Sequence, residues 1–138
     1  MSIQRITADK AKAKSLFITA KSFIQSVEPI TNSAEASFLI NTEYDILHAL
    51  CGAILAYDGE KVSGKDHHKI LIARICEKYN LTQGETHLLE EVRKIRNDIN
   101  YYGQKDKEIL EDFYKRNKNN LEKVRQNLLE IMQKKVSS

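Results

Sequence analysis

One proline and five glycines are all the helix breakers this 138-residue chain has, and no segment alternates apolar and polar residues convincingly. Both scarcities exclude a β-rich architecture and favour a chain that is nearly all helix. Cysteine is equally sparse. Cys51 and Cys76 are too few and too far apart in sequence for a disulfide framework or a metal motif. Each sits among apolar residues, where a free thiol packs as a small hydrophobe. No apolar run approaches the length of a membrane span, and none marks a leader at the amino terminus. A cytoplasmic protein with no membrane partner is expected. Glycine-rich phosphate loops are missing as well, so no cofactor and no metal is expected.

A large charge of one sign is also lacking. The formal net charge is +3, less basic than proteins selected for duplex binding usually are. The bias is uneven, because from Arg93 onward 12 Lys and Arg face 7 Asp and Glu. A modestly basic second part suits RNA, and it suits an acidic protein partner equally well.

What is present suits one soluble domain over residues 1–138. Hydrophobic residues make up 41% and charged residues 30%, and a chain of this length buries roughly two-thirds of its unfolded surface. Five helices are predicted. The first runs from about Ala8 to Val27 and stops before Pro29, since the residue preceding a proline avoids the helical region. Asn32 and Glu35 have capping-box spacing ahead of a second helix over 33–58, which Gly59 ends. That helix is apolar over a wide arc and therefore central to its bundle or part of an oligomer interface. Glu43 falls inside its apolar stripe, where an unpaired carboxylate would cost several kcal/mol, so it requires a partner. After a polar loop over 59–65, a short third helix holds Ile70, Leu71, Ile75 and Cys76. Thr82 and Glu85 form a capping box for the fourth helix, closed by Gly103, and Gln104–Asp106 turns the chain. The fifth helix spans about 106–135. Leu121, Val124, Leu128 and Ile131 repeat at heptad spacing along it, and roughly thirty residues reach about 45 Å. A frayed tail is expected from Lys134.

Chemistry concentrates in the fourth helix, in the run Arg93-Lys94-Ile95-Arg96-Asn97-Asp98-Ile99-Asn100-Tyr101-Tyr102-Gly103. Leu88, Val92, Ile95, Ile99 and Tyr102 line one face. At 100° per residue, Arg96 lies about 80° and Asn100 about 120° to one side of that stripe. Together they make a polar strip beside the buried seam, while Tyr101 points almost away from the core. Arginine suits a phosphate because its planar fork donates two parallel hydrogen bonds and stays charged at any working pH. The competing reading is an ion pair of Arg96 with Glu43 or Asp98.

An Arg-Asn dyad near the end of an amphipathic helix, followed within a few residues by His or Tyr, resembles the signature of HEPN domains. The order of helices, the segment Tyr44-Asp45-Ile46-Leu47-His48-Ala49-Leu50 and the turn at Gly59-Glu60-Lys61 resemble that family too, so the likeness covers about residues 12–128. It implies an all-α, antiparallel up-and-down bundle of four core helices plus one short helix, working as a homodimer whose two motifs face each other across a cleft. It further implies metal-independent RNA cleavage, in which the arginine steadies the scissile phosphate and a histidine assists attack by the ribose 2′-hydroxyl, in a toxin–antitoxin or defence setting. Carried over, Arg96 matches the arginine and Asn97 the polar residue after it. The histidine position falls on Tyr101, Tyr102 or Gly103. A phenol is only about 0.1% ionised at pH 7, so it is a weaker base than imidazole.

Arg96, Asn97, Tyr101 and Tyr102 are therefore the expected catalytic set, with Asn100, Arg93 and Glu43 as substrate contacts. The missing histidine motivates an alternative, a non-catalytic helical scaffold for a partner such as a nucleotidyltransferase. His67 and His68 point about 100° apart on a helix and are read as solvated rings of an amino-terminal turn. His48 and Cys51 share a face without completing a zinc site, and nothing near His87 in sequence activates it. The basic residues Lys115, Arg116, Lys118, Lys123 and Arg125 of the last helix are read as a solvated face.

Overall fold

The computed structural model describes residues 3–103 and 106–137, leaving aside the Tyr102 side chain. Within them the chain is an all-α bundle. Helices α1 (Lys10–Val27), α2 (Ala36–Asp58), α3 (His67–Lys78), α4 (Gln83–Tyr102) and α5 (Lys107–Val136) are joined by short connections. The expected all-helical class holds with one addition, a ribbon of β1 (Ile3–Arg5) and β2 (Glu60–Val62). Its strands pair antiparallel, with Ile3 opposite Val62 and Arg5 opposite Glu60. Gly59 makes this possible. It adopts φ 73°, and a Cβ there would lie 2.6 Å from the Ile6 carbonyl oxygen. Both the left-handed backbone and the close approach of the first strand require glycine.

Local chemistry sets most helix ends. Asp9 starts α1 by accepting the Lys12 N–H at 2.9 Å, two residues after the start read from sequence. Pro29 ends it in a single 3₁₀ turn over Glu28–Ile30. Thr82 and Glu85 close their capping box, at 3.1 and 2.9 Å, and open α4. The box expected from Asn32 and Glu35 does not form, and α2 begins at Ala36 without a side-chain cap. Lysines of α5 take both residues instead, Lys118 donating to Asn32 Oδ1 at 3.2 Å and Lys107 to Glu35 at 3.3 Å.

Helix α2 is the hub. It packs against α1, α3, α4 and α5, and both of its apolar stripes are buried, through Leu39, Ile46 and Leu50 on one and Ile40, Leu47 and Ile54 on the other. Along α5 the heptad seam is buried at Leu121, Val124 and Leu128. The next turn buries Met132, while Ile131 is only half-buried. The helix stays regular to Val136, past the point where fraying was expected. Lys135 holds it there, donating to Asp58 Oδ1 at 2.6 Å. The expected turn at Gln104 and Lys105 lies outside the described residues.

Glu43 has the partner its position demands. The Arg125 side chain of α5 donates to its two carboxylate oxygens at 3.1 and 3.3 Å. Burial raises the Glu43 pKa, and the arginine opposes that rise without cancelling it. Arg125 therefore does not belong to the solvated face read for α5, since only 12% of its side chain is exposed.

Candidate functional site

The polar strip of α4 faces the middle of α2. The Arg96 guanidinium lies 5.0 Å from the centroid of the Tyr44 ring, within the range of cation–π attraction. Its Nη2 donates to Asp45 Oδ1 at 3.4 Å, at the long limit for such a bond. Neither Glu43 nor Asp98 is its partner. Asp45 sits one residue after Tyr44 on α2, a half-exposed position (46% of its side chain) where an ion pair contributes less than about 1 kcal/mol. Burial raises the Asp45 pKa more than Arg96 lowers it. A quarter of the Arg96 side chain remains exposed, so this guanidinium is held in place without being used up.

Around Tyr44 the chain assembles imidazoles that are distant in sequence. Tyr44 Oη and His68 Nδ1, from α2 and α3, are hydrogen-bonded at 2.9 Å. The His48 and His68 rings lie 4.3 Å apart, and His67 meets His68 edge-on at 4.3 Å. His48 follows Tyr44 by one helical turn, so both point toward α3 and α4. His68 is not the solvated ring expected from sequence. It is half-buried, while His67 is exposed and bonded through Nδ1 to the Gly64 carbonyl at 3.2 Å.

Burial and neighbouring positive charge favour the neutral forms of His48 and His68. The His48 pKa is lowered to about 4, first by burial and then by His68, His67 and Arg96. That of His68 is lowered too, by burial and then by His67, Arg96 and Arg93. Burial pushes the Tyr44 phenol up to about 12, so it keeps its proton. The Tyr44–His68 bond allows two tautomers. When Tyr44 donates, His68 presents Nε2–H as a donor. When His68 Nδ1–H donates to the phenol oxygen, Nε2 carries a lone pair and serves as a base. His48 Nε2 is buried with no hydrogen-bond partner among the described residues.

The remaining expected residues are spread around this cluster. Arg93, one turn before Arg96, donates to Glu90 at 3.0 Å with 15% of its side chain exposed. Asn97 is half-buried, and Asn100 is exposed. Tyr101 is 82% exposed, in line with a side chain directed away from the core. The Tyr102 side chain lies outside the described residues. Glu43 is not brought to the cluster, because Arg125 occupies its carboxylate. Sequence reading missed Tyr44, His48 and His68 as a group. The available signal was the i, i+4 pair Tyr44 and His48, opposite an α4 strip that carried Arg93 and Arg96.

Among the described residues, no group of three or more His, Cys, Asp or Glu is disposed to hold a metal ion. No helix among them is long and apolar enough to cross a membrane. In comparisons with known proteins, no family model, no curated protein and no solved structure matches this chain.

Proposed function

We propose that this chain is a HEPN-like, metal-independent RNA-cleaving protein in which Arg96 holds the phosphate and α3, not the end of α4, supplies the histidine. One observation carries the reading. A guanidinium that is only loosely paired lies against Tyr44, whose phenol is bonded to His68, with the His48 ring tilted against His68 at 4.3 Å. Neutral imidazole next to fixed positive charge suits transesterification. A basic Nε2 takes the proton of the ribose 2′-hydroxyl, the 2′-oxygen bonds to phosphorus, and the bond to the 5′-oxygen breaks. The imidazolium so formed gives its proton to that oxygen by way of solvent, leaving a 2′,3′-cyclic phosphate and a 5′-hydroxyl. Arg96 neutralises the charge that grows on the non-bridging oxygens. In this reading Arg93 and Asn100 contact neighbouring parts of the strand, and Asn97 and Tyr101 face a second copy across a homodimer cleft. The setting is cytoplasmic, in a toxin–antitoxin or defence system.

Incubation of the purified protein with RNA in EDTA tests this. Arg96→Ala and His68→Gln should each lower cleavage by about 10²-fold or more while the fold persists by circular dichroism. Retained cleavage in either variant removes that residue from the mechanism.

A second reading has its own observation. Phe23 and Phe38 are 40% and 51% exposed and flank a cavity of 310 Å³ that also includes Asp45. An aromatic pair beside the partner of Arg96 favours a non-catalytic scaffold that docks a protein such as a nucleotidyltransferase. Stable co-elution with such a partner, lost in Phe38→Ser, together with no RNA loss at high protein concentration, selects this reading.

A further inference from the structure

Beyond the imidazole cluster lies a cavity of 450 Å³ between α1, α2, the ribbon and the start of α3. Its volume lies within the range of small-ligand sites. Aliphatic side chains form one part of its lining, with Leu16, Leu55 and Leu71, and Leu16 packs on Gly52 of α2, its Cδ1 3.3 Å from where a Cβ would stand. Two imidazoles of the cluster, His48 and His67, line it as well. The polar part of the lining includes Asp9, Lys12 and Lys61. Glu60 also lines the cavity, but its carboxylate is held by Arg74 and Lys78. Asp9 differs. Its Oδ1 caps α1, and a carboxylate can accept several more hydrogen bonds than one.

We propose that this cavity is a nucleobase subsite, in which a flat heteroaromatic ring enters beside His48 and His67 and Asp9 accepts N–H donors from its edge. The proposal rests on the RNA reading of the neighbouring cluster for its source of bases. Two features favour a base over an aliphatic or anionic ligand. The exposed His67 ring at the cavity wall offers a stacking face, a contribution of about 1–3 kcal/mol per base on aromatic platforms. Asp9 disfavours an anion in the cavity, whereas Lys12 and Lys61 suit the sugar-phosphate that leads out of it. A carboxylate acceptor selects bases that carry amino and imino donors, guanine first, over uracil.

Methyl NMR of the full chain with guanosine and with uridine, set beside cleavage of RNA oligomers, tests it. Guanosine should shift the methyls of Leu16, Leu55 and Leu71, and uridine should bind more weakly. Asp9→Asn keeps a good helix cap, so its unfolding midpoint should match wild type while guanosine affinity falls about fivefold. Gly52→Ala adds a methyl that meets Leu16 Cδ1 at 3.3 Å, and by pushing Leu16 toward the cavity it should weaken guanosine. Guanosine that shifts none of these methyls, or binds equally well to Asp9→Asn, overturns the subsite. Arg96→Ala separates the two ideas. Should that variant bind guanosine normally yet leave RNA intact, both stand; should it still cleave RNA while guanosine binds as proposed, the phosphate role fails and the subsite survives as a site for free nucleosides.

Discussion

Two polar clusters meet α2, one at its carboxyl end and one at mid-length, and they are built in opposite ways. At the end, Arg74 and Lys78 donate to Glu60 at 2.7 and 2.5 Å, and Lys135 and Tyr79 bind Asp58. Hydrogen bonds from Arg74 lower the Glu60 pKa to about 2, outweighing its burial. Burial pushes Asp58 upward, but bonds from Lys135, Tyr79 and Lys78 leave it lowered. At mid-length the sole acid of the described Arg96 contacts is reached at 3.4 Å, and Asp45, His48 and His68 all have their uncharged forms favoured by burial. Charges that satisfy one another at short range hold a fold together. Charges and rings left under-satisfied beside a guanidinium are what a ligand can complete.

That contrast can be broken by mutation. The largest effect is expected from Glu60→Ala, which removes the buried acceptor that Arg74 and Lys78 share and leaves them, among the described residues, only Glu77 at 3.7 Å and Asp58 at 3.0 Å. It should cost about 2 kcal/mol by urea unfolding, from the lost hydrogen bonds, and a loss below about 1 kcal/mol would mean that the ribbon end is not a lock.

A smaller effect follows from pH. Below its ordinary value of 6.5 an unfolded His48 takes up a proton that the folded ring, at about 4, refuses. Stability is therefore full above pH 6.5 and declines as pH falls toward 4. Urea midpoints across that window should fall in wild type and fall less in His48→Gln. The Glu60 contribution has the same sign in a lower window, being present above 4.5 and lost toward 2, so the two are separable on one curve.

Smallest of all should be the stability change of Arg96→Ala, less than about 1 kcal/mol because its ion pair is long and half-exposed. A Tm drop as large as that of Glu60→Ala would place Arg96 among the structural locks and undo the comparison.

Much of the fold could be read from local pattern. The Thr82–Glu85 box, the Gly59 and Gly103 stops and the wide apolar arc of α2 act within a few residues of one another, so sequence displays them. The Asn32–Glu35 box failed because lysines some 70 and 86 residues away compete for the same oxygens. The ribbon was illegible for a different reason, since strands of three residues show no alternation long enough to detect. In the site, Arg96 and the direction of its strip could be found from helical geometry. Its true partners Tyr44, Asp45 and His68 could not, because their proximity depends on how α2, α3 and α4 pack.

By itself the sequence determined an all-helical chain, where its helices stop, that α2 must lie at the centre and that Glu43 needs a cation. Spacing and capping are short-range and survive any arrangement of the helices. Only the tertiary structure decided which cation that is, joined residue 3 to residue 62, and laid His68 against both Tyr44 and His48. Contacts between separate helices depend on which faces interlock, and that is settled by the packing of the whole bundle rather than by the order of residues along any one helix.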